Sequence, residues 1–326
     1  MWPITIEQVR EARERIRPWL PPTPLRSYPA LDAAVGCGIR ILVKHENHNP
    51  TNAFKARSAL SFLTALPADA ARRGVVAATR GNHGLGLAWA GSLLGIPVTL
   101  CVPAGNNPEK NEAIRGQGAR LIEQGKDYDE AVVVAETLVR EQGLALCHST
   151  NAPEVIAGAA TLTLEILAQS ESMGRPDALV LAVGGGSQAV GAMTVTRALA
   201  PDIAVYGVQA ARASAIHDSW HAGSPRPSAS ADTFADGLAT RNVYDLTFGA
   251  LREALAGFVT VSEAGIASAL RLLLRTTHNL VEGAGAAGLA GVEVLGDALA
   301  GRCIGIVISG SNIDRETLRR VVNGDI

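Results

Sequence analysis

The sequence predicts an α/β protein made of mostly parallel sheets with helices on both faces. Two observations lead there. Short apolar runs rich in Val, Ile, Leu and Ala alternate with stretches of helical periodicity along nearly all of the 326 residues. Strands separated by helices must be joined by crossovers, and crossovers make neighbouring strands parallel. A third observation sets the scale. Hydrophobic residues make up 47% of the chain and charged residues 18%, enough to fill the cores of two ordinary domains and too apolar for disorder.

Taken in order, Ile39, Ile41 and Val43 form the first strand pattern, and a helix carrying Ala59, Phe62, Leu63 and Leu66 on one face follows it. "GVVAAT" (74–79) leads into an apolar helix through Trp89, then "PVTLCVP" (97–103). Asn107 and Pro108 open the next helix, a cap followed by proline at the first helical position. "ARLIEQG" (119–125), a helix over 127–142 and "LALCHS" (144–149) close a first set of units. A second set runs through "ALVLAVGGG" (178–186), "AVYGVQA" (204–210), "FVTVSE" (258–263) and "CIGIVISG" (303–310). The stretch 211–247, rich in Ser, Ala, Pro and Asp, breaks the rhythm and reads as a long loop, a lid or an interface.

Composition excludes several classes. A formal net charge of −2 without a basic run argues against nucleic acid or an anionic membrane as the main partner. Residues 81–108 carry no Asp, Glu, Lys or Arg, but Gly95 and Pro97 interrupt them, so a helix followed by a buried strand explains them better than a membrane span. Charges in the first twenty residues occupy the place of a signal peptide's apolar core, so a soluble cytoplasmic protein is expected. Cys37, Cys101, Cys147 and Cys303 lie far apart with no CxxC, which disfavours a disulfide framework or a thiolate zinc site.

Four stretches carry chemistry. In "NPTNAFKARSAL" (49–60), Lys55 stands just past turn residues, at the start of a helix with a buried face. A dehydrated amine beside the positive end of a helix dipole loses its proton readily, as a carbonyl-attacking lysine requires. The alternative is a solvated lysine on the first turn. "AVGGGSQAVGA" (182–192) is a strand running through glycines into a helix. Gly184, Gly186 and Ala189 satisfy G-x-G-x-x-A, yet the next strand ends in Gln209, not in the acid a ribose needs, and no Gly-Lys-Ser/Thr follows. Backbone N–H groups at a helix start still suit a phosphate monoester, and a ligand-free glycine turn is the alternative. "TRGNHG" (79–84) lies between a strand and an apolar helix whose N-terminus suits a carboxylate. "VISGSNID" (306–313) ends a late strand in Ser309, whose hydroxyl could meet a ring nitrogen or merely shape a turn. Glu282 precedes a glycine- and alanine-rich helix, where an acid is by default simply favourable. His217 and His221 have the spacing of a zinc helix, but no helical pattern surrounds them and no third ligand is evident, so no metal is expected.

Together, and in this order, the stretches resemble the serine/threonine dehydratase family of pyridoxal-phosphate enzymes, of the tryptophan-synthase-β fold type (fold type II). The resemblance extends over nearly the whole chain and includes "PEVIAGAATLTLEI", "FADGLAT" and "VEGAGAAGLA". It implies a large cofactor-binding domain from residues 1–45 plus 150–326, a small domain from 46–149 carrying the Asn82 turn, and Lys55 near the cleft between them. It implies that Lys55 holds the cofactor aldehyde as a Schiff base and acts as the base at Cα. Phe54 would lie by the ring, Asn82 would bond the ring 3-hydroxyl, and Ser309 would meet the ring nitrogen. Gly184, Gly185, Gly186, Ser187 and Gln188 would cradle the phosphate, with Gly237 and Glu282 completing the cofactor's surroundings. Thr79, Arg80, Gly81, Asn82 and His83 would surround the substrate carboxylate. The implied activity is α,β-elimination from L-threonine or L-serine to a 2-oxo acid and ammonia, in a homodimer. Alternatives are a bulkier or more polar 3-hydroxy amino acid such as phenylserine or hydroxyaspartate, an amino-acid racemase, or a Rossmann-type oxidoreductase.

Departures from the family pattern are informative. Thr79 and Arg80 replace two serines, the second of which serves racemases as the opposite-face acid, and a guanidinium is a poor substitute. Asn52 and Ser58 stand where glycines are usual, and Asn52 tolerates a left-handed turn. Gln209, Ala213 and Ala215 occupy the places of a divalent-cation site, so no such cation is expected.

Overall fold

A computed structural model of the chain describes residues 2–326. Among these residues ten strands form two sheets: β1 (Leu25–Ser27), β2 (Arg40–His45), β3 (Val75–Ala78), β4 (Val98–Val102), β5 (Arg120–Glu123), β6 (Ala145–Leu146), β7 (Ala178–Ala182), β8 (Ala204–Ala210), β9 (Gly257–Val261) and β10 (Cys303–Ile308). The larger sheet has the order β1-β2-β10-β7-β8-β9 and the smaller one β5-β4-β3-β6. All pairings are parallel except β1 with β2. The antiparallel edge is absent from the sequence reading. β1 is three residues long and buries only Leu25, which leaves no periodicity to detect.

Helices cover both faces of each sheet, because each strand buries side chains on both sides. Helices Glu263–Thr277 and Gly283–Leu295 close one core of the large sheet, and Pro153–Ser170 and Ser187–Leu199 close the other. Helices Lys55–Ala65 and Asn82–Leu94 pack on one face of the small sheet, and Tyr128–Gln142 on the opposite one. Among the described residues no helix is long and apolar enough to cross a membrane. The charge-free stretch 81–108 is the helix Asn82–Leu94, β4 and the turn after it.

The helix that starts at Lys55 is held at the junction of the two sheets. Against helix Pro153–Ser170 it approaches backbone to backbone: a Cβ on Gly158 would lie 2.6 Å from the Arg57 carbonyl oxygen. Ser58, where a glycine was expected, donates to the Val155 carbonyl at 3.0 Å. A buried ion network secures the same turn. Arg57 binds Glu46 (Nε–Oε2, 2.7 Å) and Glu165 (Nη1–Oε1, 2.6 Å), and Lys44 binds Glu165 at 2.6 Å. Two cations face two carboxylates, so no buried charge is left unpaired, the condition under which such a network is tolerable.

The stretch 211–247 is less irregular than the sequence suggests, since it contains the helix Ala215–Ala222 and the start of Asp245–Ala254. His217 and His221 therefore do lie on a helix, with ring centroids 4.4 Å apart. The helix has only eight residues, about two turns, so its period was hidden. Among the described residues no group of three His, Cys, Asp or Glu is placed to hold a metal.

Candidate active site

The four residues before Lys55 run antiparallel along the end of β10. Ala53 bridges Gly310, the Phe54 N–H donates to the Ser309 carbonyl and the Ser311 N–H to the Asn52 carbonyl, both at 2.9 Å. Asn52 sits at φ +55°, in the left-handed region that asparagine tolerates. Lys55 is then the first helical residue. Its amine donates to the Ser149 carbonyl at 3.1 Å and lies 4.8 Å from the centre of the Phe54 ring. Burial lowers its pKa from 10.5 to about 8. The solvated-lysine alternative does not survive these surroundings.

Opposite Lys55, β7 ends in the glycine loop. A Cβ on Gly185 would overlap the Thr150 hydroxyl, and one on Gly184 would overlap the Gly237 carbonyl, so these positions admit only glycine. Gly186 adopts φ +99° and caps helix Ser187–Leu199 without a side-chain hydrogen bond. Its first N–H groups thus face the cavity at the positive end of the helix, a seat for a phosphate. Gln188 is buried beside them, and its Nε2 has no hydrogen-bond partner. Thr247 Oγ1 donates to the Gly185 carbonyl at 2.8 Å and fixes the loop from behind.

The turn after β3 forms the third wall. Thr79 Oγ1 accepts from the N–H groups of Gly81 (3.1 Å) and Gly84 (2.9 Å), so this hydroxyl holds the turn itself and is not a free donor to a ligand. The His83 ring is also turned away: Nε2–H donates to the Cys147 carbonyl at 2.9 Å. Burial, then the nearby Lys55, push its pKa down to about 3, so it is neutral. Its side chain offers a carboxylate no charge. What remains for an anion are the N–H groups of Asn82 and His83 at the start of helix Asn82–Leu94, where no side chain caps them. The Asn82 amide is locked in place. Nδ2 donates to Glu282 Oε1 (2.7 Å) and Oε2 (3.0 Å), while Oδ1 accepts from Asn312 Nδ2 at 2.7 Å. One N–H can hold that carboxylate, which leaves the other for the cavity. Burial raises the pKa of Glu282, and its side chain makes no capping bond to the helix it precedes. Its default role as a helix-start acid is therefore not the one it plays.

Phe54, Lys55, the 79–83 turn, Gly184 to Gln188, Gly237, Glu282 and Ser309 all line one cavity. Ser309 is buried in that wall at the end of β10. The sequence reading missed others in the same wall: Lys110, Tyr128, Thr150, Asp236 and Asn312. Lys110 forms an ion pair with Asp236 across the cavity mouth. A signal for Lys110 and Tyr128 did exist. Both sit in the first turn of a helix near the carboxyl ends of β4 and β5, where α/β sheets bind ligands.

A lysine amine of lowered pKa, facing a glycine-and-N–H phosphate seat and a neutral hydroxyl, defines a site for an aldehyde cofactor with one phosphate. The chain belongs to the family described as "Pyridoxal-phosphate dependent enzyme", whose profile it matches over residues 16–310. It is 34% identical over 320 residues to an L-threonine ammonia-lyase of Thermotoga maritima, covering 98% of this chain and 78% of that one. It is 32% identical over 316 residues to an L-threo-3-hydroxyaspartate ammonia-lyase of Pseudomonas sp, covering 97% and 98%. The crystal structure of a threonine deaminase from T.th. superposes with a TM-score of 0.89 at 36% identity, covering 95% of this chain and 99% of that one. This chain is a pyridoxal-phosphate-dependent enzyme, and several of its relatives are ammonia-lyases. The residues fit the cofactor: the glycine cradle has no room for side chains, and the unpartnered Gln188 amide supplies a further donor beside it.

Proposed function

We propose that the chain releases ammonia from L-3-hydroxy amino acids, with threonine and serine as substrates. The names of its relatives support the substrate class. The observation that carries the reading is the Lys55 amine, lowered to about 8 in a cavity shared with the glycine loop and Ser309. Lys55 would hold the cofactor's carbonyl carbon, and the N–H groups of Gly186, Ser187 and Gln188 its phosphate. Asn82 Nδ2 would meet the ring 3-oxygen, Phe54 the ring face and Ser309 the ring nitrogen. Bound there, pyridoxal phosphate supplies an electron sink that acidifies the Cα proton of the substrate.

The chain's own groups do the rest. The N–H groups of Asn82 and His83 seat the α-carboxylate. Lys55 Nζ, with its pKa lowered to about 8, takes the proton from Cα. The Cα–H and Cβ–O bonds break, Cα=Cβ forms, and the hydroxyl leaves as water with the proton that Lys55 took from Cα. The released enamine tautomerises to an imine and takes up water, giving a 2-oxo acid and ammonia. By offering a neutral hydroxyl in place of a carboxylate, Ser309 leaves the sink modest and favours prompt elimination.

The reading includes a large domain of residues 1–45 plus 150–326 and a small one of 46–149. It is supported by a six-stranded sheet drawn from 25–45 and 178–308 and a four-stranded sheet drawn from 75–146. It also includes a cytoplasmic location and a homodimer, the latter resting on the family resemblance alone. The test is a panel of L-3-hydroxy amino acids scored for 2-oxo acid with the holoenzyme and with Lys55→Ala. Threonine or serine should yield product, and the variant should lose many orders of magnitude. A variant keeping a tenth of wild-type activity, or a silent panel, sinks the reading.

A further inference from the structure

Arg80 is a cavity residue for which the mechanism above has no use. Its side chain is exposed, and among the described residues it makes neither an ion pair nor a hydrogen bond. A partner acid across the cleft, the bland explanation of this arginine, is therefore absent. Arg80 nevertheless lines the cavity wall, and its charge reaches the Tyr128 phenol of the same wall: burial raises that phenol to about 12, and Arg80 opposes the rise.

The acids nearby are already engaged. Asp236 pairs with Lys110, whose stem crosses Gly81. Glu282 is held by Asn82. Asp314 caps the last helix by accepting from the Thr317 N–H at 2.9 Å. The α-carboxylate has its own seat on the N–H groups of Asn82 and His83. A guanidinium left unpaired in the wall of a ligand cavity is free to form a charge-assisted, two-pronged pair with a ligand anion.

The geometry points to Arg80 as a specificity residue that selects for a carboxylate on the β-carbon of the substrate. The inference rests on the ammonia-lyase reading and narrows it to 3-hydroxy amino acids with a second acid group. Such a substrate lays its α-carboxylate on the 81–83 turn and its second carboxylate in the fork of the guanidinium. The bonds broken are the same, Cα–H and Cβ–O, with loss of water. Hydrolysis of the resulting enamine releases ammonia and a 2-oxo dicarboxylic acid. Nothing is oxidised or reduced overall.

Two measurements on the holoenzyme decide it. In the first, kcat/KM is compared for threo-3-hydroxyaspartate and L-threonine in wild type, Arg80→Gln and Arg80→Lys. Wild type should prefer the acidic substrate. Arg80→Gln should lose about 100-fold on it, the worth of a charge-assisted pair, and less than tenfold on threonine. Arg80→Lys should recover part of the loss. In the second, succinate and butyrate, which lack the amine and cannot react, are added during thermal unfolding. Succinate should protect wild type more than butyrate does, and Arg80→Gln should erase the difference. Equal losses on both substrates would assign Arg80 to the α-carboxylate, and no loss on either would make it structural. Either result overturns the inference while the 2-oxo acid still formed upholds the lyase reading. If no hydroxy amino acid yields product, the lyase reading fails, and equal protection by the two acids then removes Arg80's role as well.

Discussion

Replacing Lys55 by methionine should make the cofactor-free protein more stable at neutral pH, although it destroys the enzyme. The amine has a pKa of 10.5 when solvated and about 8 in the folded chain, with burial as the main cause. The sign follows from proton counts. Between about pH 8 and 10.5 the unfolded state binds more protons than the folded one, so stability rises with pH through that window. Below it the full penalty applies. At about 1.36 kcal/mol per pKa unit the gap is worth about 3.4 kcal/mol. The amine keeps some exposure and a hydrogen bond to Ser149, which cuts the figure to about 2 kcal/mol. Methionine has a similar length and no charge to dehydrate. Urea unfolding of both apoproteins at pH 7 should show the variant about 2 kcal/mol ahead, and at pH 10.5 the advantage should be mostly gone. A variant less stable than wild type at pH 7, or a gain that does not shrink on raising the pH, would refute the idea that Lys55 is held in its site against its charge.

Gly185→Ala should weaken cofactor binding at least tenfold, read by titrating the apoprotein and following visible absorption, because its Cβ would overlap Thr150 Oγ1. Gly249→Ala is the control: nothing lies within 4 Å of its Cβ in helix Asp245–Ala254, so cofactor binding should hold and stability rise by about 0.5–1 kcal/mol. Chelator treatment followed by magnesium or calcium should change activity less than twofold. Ala213 and Ala215 supply no carboxylate, and Gln209 Oε1 already accepts from the His217 N–H at 2.9 Å. Strong reactivation by either ion would show that reasoning wrong.

Much of this molecule was legible in its sequence, for reasons that differ from place to place. The buried parallel strands announce themselves because each is a run of Val, Ile, Leu and Ala flanked by glycine or a helix cap, as β7 is by Gly184 and β4 by the Asn107–Pro108 cap a few residues on. Lys55 could be singled out because turn residues precede it and an apolar face follows. The ion network under it could not. Lys44, Glu46, Arg57 and Glu165 are charged residues scattered along the chain, and only the fold brings them together in the interior. Side-chain direction was equally hidden. Thr79 and His83 fall on the turn where a ligand was expected, yet their side chains bond the turn and the Cys147 carbonyl. Which way a side chain leaves a tight turn depends on contacts from distant segments, here from residue 147. Asn312 was quoted in a motif without a role, because its partners Thr51 and Asn82 lie more than two hundred residues away.

The zipper between residues 51–54 and the end of β10 has a consequence for how such a site can diversify. It fixes the Lys55 amine and the Ser309 hydroxyl to one stretch of backbone, so the distance between them is set by main-chain hydrogen bonds that tolerate almost any change of side chain elsewhere. The 79–83 turn is joined to that assembly by side chains instead, through Asn82 to Glu282 and Asn312. A substitution at position 80, whose side chain bonds nothing in the turn, can therefore alter what the cavity admits without moving Lys55 or Ser309. The site is divided into a fixed instrument and an exchangeable aperture, and Arg80 lies on the aperture.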